Sequence, residues 1–172
     1  MSEQLPLLPG SVMKRSADFS PCWTWRYTLI REWDDSLPRL LFVLLNPSTA
    51  DAEKDDPTNR KGIKFAKLWG YGAVVFVNLF AIRSPYPEKI RVVGDPIGPE
   101  NNAWIRRQVL VTDDIIVAWG MHGDDAPRHR DRPEAVLNLL PRPVFCMGTT
   151  KDGHPKHPLY LPHKTEMTEF RY

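Results

Sequence analysis

The residues most able to do chemistry stand where an apolar run stops. Residues 46–51 (Asn-Pro-Ser-Thr-Ala-Asp) follow the uninterrupted apolar run 40–45, and Pro47 prevents the ladder of a strand from continuing. An apolar run without alternation is typical of a strand buried on both faces of a parallel sheet. In open α/β sheets, ligands bind beyond the carboxyl ends of such strands. The segment therefore indicates either a site or a strand followed by an Asx or Ser turn.

The same pattern recurs three more times along the chain. Apolar runs at 73–77, 115–118 and 144–147 end in Asn78, in Trp119-Gly120 and in the polar loop 148–154. The carboxyl ends of neighbouring parallel strands meet at one edge of a sheet. We therefore predict one cleft lined by Asn46, Asn78, Trp119 and at least one histidine of the polar loop. Core packing is the alternative for Trp119.

Two His-Pro dipeptides stand three residues apart within residues 151–159 (Lys-Asp-Gly-His-Pro-Lys-His-Pro-Leu). Proline restricts the backbone beside His154 and His157, so the two imidazoles could donate hydrogen bonds to a developing negative charge. A Pro-rich turn and a metal site are the alternatives. Cys22 and Cys146 form no zinc signature with these histidines, and we predict no metal and no cofactor.

The elements that must position these residues alternate between strand and helix. Residues 25–33 alternate as a strand, which we predict to form an antiparallel edge hairpin with 40–45. Helices are predicted from Asp56-Pro57 to Gly70, over 100–111 and over 133–140. Residues 1–20 are predicted to be an arm, and 83–99 a long loop without regular structure. The order predicts a single α/β domain over 1–172, three-layer α/β/α with a mostly parallel central sheet.

Composition limits the class of protein. The 172 residues carry a formal net charge of +2 and are 42% hydrophobic, which is ordinary for a soluble globular domain. Neither a membrane span nor a signal peptide is recognisable, and two cysteines are too few for a disulfide framework. We therefore expect a cytoplasmic protein without a membrane partner. Dinucleotide and P-loop motifs are missing, and the sequence carries no signal for the oligomeric state.

Several segments together resemble a bacterial and phage family of unknown function, number 1643. They are Leu-Asn-Pro-Ser-Thr-Ala-Asp at 45–51, Asp-Asp-Pro-Thr at 55–58, Trp-Gly-Tyr-Gly at 69–72, Asn-Leu-Phe-Ala at 78–81, Gly-Pro-Glu-Asn at 98–101, Ala-Trp-Gly at 118–120 and the histidine segment at 150–160. The resemblance spans nearly the whole chain. It implies membership of the family and no particular activity.

The order of the strand-end motifs also resembles, more distantly, the uracil-DNA glycosylase superfamily and its fold. That resemblance implies that Asn46-Pro47 holds a hydrolytic water, that Asn78 reads a base, and that a histidine stabilises the departing base. Either His154-Pro155 or His157-Pro158-Leu159 matches the last motif, in which Leu159 would wedge into DNA. The chain departs from the pattern at Leu44-Leu45 and in its duplicated His-Pro.

Three functions remain open from the sequence. They are an N-glycosylase acting on a modified base in nucleic acid, a non-catalytic module that binds a nucleotide or flipped base, and a small-molecule hydrolase on the same scaffold. An amide such as Asn46 cannot be a general base, so Asp51, Asp55 or Asp56 would have to supply one. The candidate residues are Asn46, Asp51, His154 and His157 for catalysis; Pro47, Ser48, Asn78, Trp119 and Gly120 for the ligand; and Arg128, Arg130, Lys151, Lys156 and Leu159 for nucleic acid.

Overall fold

One mixed sheet of seven strands with four helices makes up the part of the chain that the computed structural model describes, residues 12–122 and 126–172. The strands are Lys14–Phe19 (β1), Arg26–Glu32 (β2), Arg39–Leu44 (β3), Ala73–Asn78 (β4), Asp114–Val117 (β5), Phe145–Cys146 (β6) and Thr168–Glu169 (β7). The helices are Pro57–Leu68 (α1), Lys89–Val92 (α2), Asn101–Val109 (α3) and Arg132–Leu137 (α4), and short 3₁₀ turns span Gly120–His122 and Pro158–Tyr160.

The strand order is β1-β2-β4-β3-β5-β6-β7. The four strands β4, β3, β5 and β6 pair in parallel, and β1, β2 and β7 join in antiparallel fashion. The predicted α/β class is confirmed. The prediction of a mostly parallel sheet is wrong, because three of the six pairings are antiparallel. Parallel pairing is confined to the strands that alternate with helices.

The predicted hairpin between residues 25–33 and 40–45 does not form. β2 pairs with β1 and β4, and β4 lies between β2 and β3. Every residue of β4 is buried, and a strand this apolar is favoured at the centre of the sheet over a solvated edge. β1 is instead the edge strand. Residues 14–19 therefore belong to the sheet and not to the predicted arm, whose residues 1–11 lie outside the described part of the chain.

Helices cover the two faces of the sheet over two separate apolar clusters. On one face, Ile63, Phe65 and Ala66 of α1 pack on alternate residues of β3 and β4, including Phe42 and Phe76. Residues of α2, α3 and α4 pack on the other face. A Cβ atom on Gly62 would lie 2.6 Å from the Phe76 ring, so the glycine permits the close approach of α1 to the sheet.

The sequence located most elements, but it did not predict β7, and the helix predicted over 133–140 is α4, Arg132–Leu137. The predicted loop 83–99 contains the short helix α2, whose Ile90 is buried against the sheet. The strand indicated by the apolar run 144–147 is reduced to Phe145–Cys146, although Val144 and Met147 are also buried. Residues that flank a strand can be buried without pairing in the sheet. The apolar run is therefore longer than the hydrogen-bonded strand.

Candidate functional site

The carboxyl ends of the four parallel strands lie side by side. Leu44 of β3 is in register with Asn78 of β4, and Val43 is in register with Val117 of β5. The chain reaches Asn46, Asn78, Trp119 and Gly148 as it leaves these four strands. Polar side chains from distant parts of the sequence are therefore brought to one edge of the sheet, where open α/β proteins bind ligands.

Asn46 fastens the segment after β3 to the segment after β4. Its Nδ2 donates to the carbonyl oxygens of Ser84 (2.8 Å) and Pro47 (3.0 Å), and the backbone N of Ser84 donates back to the Pro47 carbonyl (2.8 Å). The Asn46 Oδ1 atom accepts no hydrogen bond from the described residues, whereas the nitrogen is committed to the loop. Pro47 is buried and Ser48 half-buried beside it.

Each of the three candidate carboxylates is already engaged. Asp51 Oδ1 accepts from the backbone N–H groups of Lys54 and Glu53 (2.8 and 2.9 Å), and these bonds hold the Asp51 pKa below its usual range. Asp55 pairs with the fully buried Arg31 (2.8 Å) and with Arg15 (2.9 Å). The hydrogen bonds to Asp51 make it a weaker base, and the Asp55 carboxylate is held between two guanidinium groups.

The third carboxylate, Asp56, caps α1. Its Oδ1 accepts from the backbone N–H of Asn59 (2.9 Å), and the Asn59 side-chain nitrogen donates to both carboxylate oxygens (2.9 and 3.0 Å) in the orientation that satisfies its hydrogen bonds. Pro57 at the first helical position completes a standard helix start. Asp56 and Asn59 are both buried, so this cap lies inside the protein and not on its surface.

Asn78 is the most unusual polar residue of the strand ends. Its side chain is 1% exposed, and neither Nδ2 nor Oδ1 has a hydrogen-bond partner among the described residues. No other described side chain buries both an unpartnered amide donor and an unpartnered amide acceptor. Leaving a buried polar group unpaired costs about 1–3 kcal/mol, so the unpaired Asn78 amide destabilises the folded protein.

Strand alternation places the Asn78 side chain on the α1 face. Val74 and Phe76 pack on that face, and Asn78 follows at the next position of the same parity. Helix α1 runs antiparallel to β4. The helical turn that contains Asn59 therefore lies beyond the Gly62–Phe76 contact, in the direction of Asn78. From the opposite face, Asn101 Nδ2 donates to the backbone carbonyls of Asn78 and Leu79 (3.0 and 3.2 Å) and fixes the end of β4.

Arg26 is a further buried polar residue beside the segment after β3, and the alternating pattern of its strand did not indicate it. The guanidinium is 1% exposed, its Nη1 donates to the Ala50 carbonyl (2.9 Å), and its Nε atom has no partner among the described residues. Burial lowers the pKa of Arg26 to about 10, against the opposing effect of the nearby Asp56 carboxylate. Arginine at an alternating strand position normally faces solvent, so the sequence carried no signal for this burial.

His157 approaches the same carboxylate from the C-terminal segment. Its Nδ1 accepts from the backbone N–H of Leu159 (3.3 Å), so the neutral ring carries its hydrogen on Nε2. Burial lowers the pKa of His157 to about 4, and the Asp56 charge only partly opposes this. The ring is therefore neutral at pH 7 and offers an N–H donor. Arg26, Asn59 and His157 each interact with Asp56, and strand alternation places Asn78 on the α1 face of the sheet. We call Arg26, Asp56, Asn59, Asn78 and His157 the Asn78 cluster.

The histidine segment folds back along the ends of β5 and β6. The backbone N of Gly120 donates to the Pro155 carbonyl (2.9 Å), and the backbone N of Lys156 donates to Gly148 (3.0 Å). Gly120 has φ +73°, and a Cβ there would lie 3.4 Å from the His157 Cβ atom. His154 is half-buried; its backbone N donates to Thr150 Oγ1 (3.2 Å), and its carbonyl accepts from the backbone N of Thr150 (2.8 Å). The electrostatic interaction with Asp56 connects His157 to the Asn78 cluster.

The remaining candidate residues are spread over different surroundings. Trp119 is 3% exposed and lies in the apolar cluster under α3 and α4, edge-on to Phe170. Lys151 and Lys156 are exposed near the ends of β5 and β6, and Leu159 is half-buried. Arg128 and Arg130 are exposed in the segment before α4, where Arg128 borders a concavity with residues 90–93.

The chain was compared with known families, curated proteins and solved structures. The profile of the family described as "Protein of unknown function (DUF1643)" matches residues 26–159. The chain belongs to this family. The matched segment runs from Arg26 to Leu159 and thus contains every member of the Asn78 cluster. No curated protein and no solved structure matches the chain, so the resemblance to uracil-DNA glycosylases remains a prediction.

In residues 12–122 and 126–172, no three histidine, cysteine or acidic side chains are grouped closely enough to hold a metal ion. Among the helices of the same two ranges, none is both long and apolar enough to cross a membrane.

Proposed function

We propose that this protein binds a nucleobase, with the Asn78 amide reading the base edge. The observation that carries the proposal is the burial of both polar atoms of Asn78 without a partner. A side-chain amide presents one donor direction and one acceptor direction side by side. Nucleobases present the complementary pair, an N–H beside a carbonyl or ring nitrogen, and enzymes and binding proteins read flipped bases by such bonds. A base would therefore remove the cost of both unpaired atoms.

The surroundings of Asn78 suit a flat, partly polar ring. Leu44 and Ala50 supply apolar contacts on the α1 face, and the neutral His157 ring supplies a further N–H donor for a carbonyl oxygen. Binding sites for small ligands are mostly apolar with a few convergent polar groups. Leu44 and Ala50 would form the apolar part of such a site, and the Asn78 cluster would form its polar part.

N-glycosidic cleavage is a second candidate, and two observations favour it. The neutral His157 donor could stabilise a base that leaves as an anion, and the Asn46 Oδ1 atom could accept from a water. The resemblance to uracil-DNA glycosylases, including a fold similar to theirs, belongs to this second candidate. The engagement of Asp51, Asp55 and Asp56 opposes it, because each of these three carboxylates is already committed to hydrogen bonds or ion pairs within the protein. We therefore place binding first.

The decisive variant is Asn78→Leu. Leucine has a similar volume and no polar atoms, so it should raise the unfolding free energy of the unliganded protein by about 1–3 kcal/mol. It should also abolish binding of nucleosides and nucleoside monophosphates in isothermal titration. Asn138→Leu is the matched control, because Asn138 is exposed at the end of α4, and it should leave binding unchanged. Unchanged affinity in Asn78→Leu would contradict the proposal.

Incubation with nucleosides and with oligonucleotides carrying modified bases separates the two candidates. Chromatography of the products should show no free base if the protein only binds. Release of a base by the wild type, lost in His157→Asn, would favour the N-glycosylase. Asparagine keeps an acceptor for the Leu159 N–H and removes the ring donor.

A further inference from the structure

An aromatic platform lies on the surface between β1 and β2. Trp23 is 60% exposed, and its ring lies 4.4 Å from that of Phe19 at an angle of 32°. The Arg83 guanidinium lies 5.1 Å from the centre of the Phe19 ring. We call Phe19, Trp23 and Arg83 the aromatic platform. An arginine beside exposed rings is the composition that binds stacked bases and phosphates.

The conformation of the β1–β2 turn does not explain why a tryptophan stands at position 23. Trp23 has φ +61° and is the only described residue other than glycine with a positive φ. Glycine or asparagine adopts this conformation at lower cost. Trp23 thus places a large apolar ring in solvent from a backbone position that disfavours it. Such a combination is more typical of a contact surface than of a structural turn.

Arg83 connects the platform to the Asn78 cluster. Its backbone N donates to the Thr24 carbonyl (3.0 Å) and its Nη2 to the Thr49 carbonyl (3.2 Å), so it bridges the β1–β2 turn and the segment after β3. The same segment supplies the Ala50 carbonyl that Arg26 binds. The positive charge of Arg83 acts on Arg26 and lowers its pKa further. Two guanidinium groups therefore lie near each other, one buried and one at the surface.

We propose that the aromatic platform binds single-stranded nucleic acid, with a neighbouring base stacked on Trp23 while Asn78 holds the base inside. This inference rests on the proposed function and adds the class of ligand, a single strand in place of a lone nucleotide. Arg83 contacts the phosphate between the two bases. Single-strand binders combine stacking rings with a positive charge beside the backbone in this way.

The test compares a fluorescently labelled short single-stranded DNA with nucleoside monophosphates as probes. Fluorescence anisotropy measures the oligonucleotide Kd, and isothermal titration measures the mononucleotide Kd. Trp23→Gly should weaken the affinity for the oligonucleotide by about 5- to 150-fold, which is the usual effect of losing one stacking ring. Mononucleotide affinity should stay within about twofold. Glycine suits the positive φ, so the melting temperature should not fall.

Two further variants sharpen the result. Trp23→Phe keeps an aromatic face and should retain most of the affinity, and Arg83→Gln should reduce the slope of log K against log salt by about 0.7. The matched control is Tyr172→Ala. Tyr172 is 50% exposed and is covered by the Arg142 guanidinium at 4.3 Å, but it lies beyond β7, at the opposite edge of the sheet from β1.

The outcomes separate the platform from the proposed function. The platform would be overturned if Trp23→Gly bound the oligonucleotide as tightly as the wild type. It would also be overturned if Tyr172→Ala lost as much oligonucleotide affinity as Trp23→Gly, or if the protein bound duplex DNA more tightly than the single strand. Binding of mononucleotides without any binding of the oligonucleotide would overturn the platform alone. Oligonucleotide binding that needs Trp23 and ignores Asn78→Leu would support the platform and contradict the proposed function.

Discussion

At the scale of single residues, two side chains of the Asn78 cluster are held in states that the fold alone does not favour. Asn78 is buried with both amide atoms unpartnered by described residues, and His157 is partly buried in its neutral form. The unpaired Asn78 amide costs stability in the unliganded protein, and the His157 ring costs stability once the pH falls below its ordinary pKa. Groups whose environment is shifted in this way concentrate at functional sites, which is why Asn78 and His157, and not the well-paired Asp55, define the candidate site.

The depressed pKa of His157 predicts a pH dependence of stability. In the unfolded chain the imidazole takes up a proton near its ordinary pKa of about 6.5, whereas in the folded protein it does so only near pH 4. The unfolded state therefore binds more protons between these values, so stability is fully present above about pH 6.5 and falls as the pH falls towards 4. The loss amounts to about 3 kcal/mol.

Urea denaturation at a series of pH values measures this loss. The variant His157→Asn should lack this part of the slope, and the difference between the two proteins removes the contribution of the carboxylates. His163→Asn serves as the control. Desolvation and the nearby Lys61 and Lys64 also lower the pKa of His163, but the residue is exposed and water screens the effect, so its part of the slope should be smaller. Parallel curves for the wild type and His157→Asn would contradict the assignment of a neutral, half-buried ring.

At the scale of elements, the site depends on loops that are fastened to one another. The segments after β3 and β4 are joined through Asn46, Pro47 and Ser84, and the histidine segment is joined to the end of β5 through Gly120 and Pro155. These backbone-directed bonds hold neighbouring strand ends in fixed relation. They also give Asn46 a structural role that its position in the sequence did not distinguish from catalysis.

The loop-fastening role of Asn46 predicts how substitutions affect stability. Asn46→Ala should lower the unfolding free energy by about 1–3 kcal/mol, because the Ser84 and Pro47 carbonyls lose their donor. Asn46→Asp should lower it at least as much, since a carboxylate would face those carbonyl oxygens. Thermal and urea denaturation measure both, with Asn138→Ala as an exposed control. Wild-type stability in Asn46→Asp would favour a role confined to holding water.

At the scale of the whole molecule, one sheet connects both termini of the described chain. β1 forms one edge and β7 the other, while α1 and the group α2–α4 cover separate apolar clusters on its two faces. The two clusters share the strands β3, β4 and β5. Neither can lose its packing without disturbing the sheet that supports the other.

This shared sheet predicts cooperative unfolding. Trp69 packs with the α1 cluster and Trp119 with the opposite cluster, so tryptophan fluorescence reports on both faces. Its urea transition should coincide with that of far-UV circular dichroism, as for a two-state domain. Fluorescence from Trp69→Phe and Trp119→Phe variants would then follow one transition. Two separated transitions would show that the faces unfold independently.

The sequence by itself determined the features that depend on neighbouring residues. The apolar runs located β3, β4 and β5, and Asp56-Pro57 located the start of α1, because burial on both faces and helix capping are local in the chain. Residue order also indicated that Asn46, Asn78 and Gly120 follow strand ends. The family resemblance was confirmed by the match over residues 26–159.

Only the tertiary structure decided which of these residues belong together. Insertion of β4 between β2 and β3 brings Arg26 beside the segment after β3, and the fold-back of the C-terminal segment brings His157 to Asp56. The commitment of Asn46 to Ser84 and the isolation of Asn78 likewise depend on residues far away in the sequence. Strand order and side-chain partners depend on long-range packing. A local sequence pattern therefore cannot predict a contact whose other residue lies far away in the chain, nor the lack of such a contact.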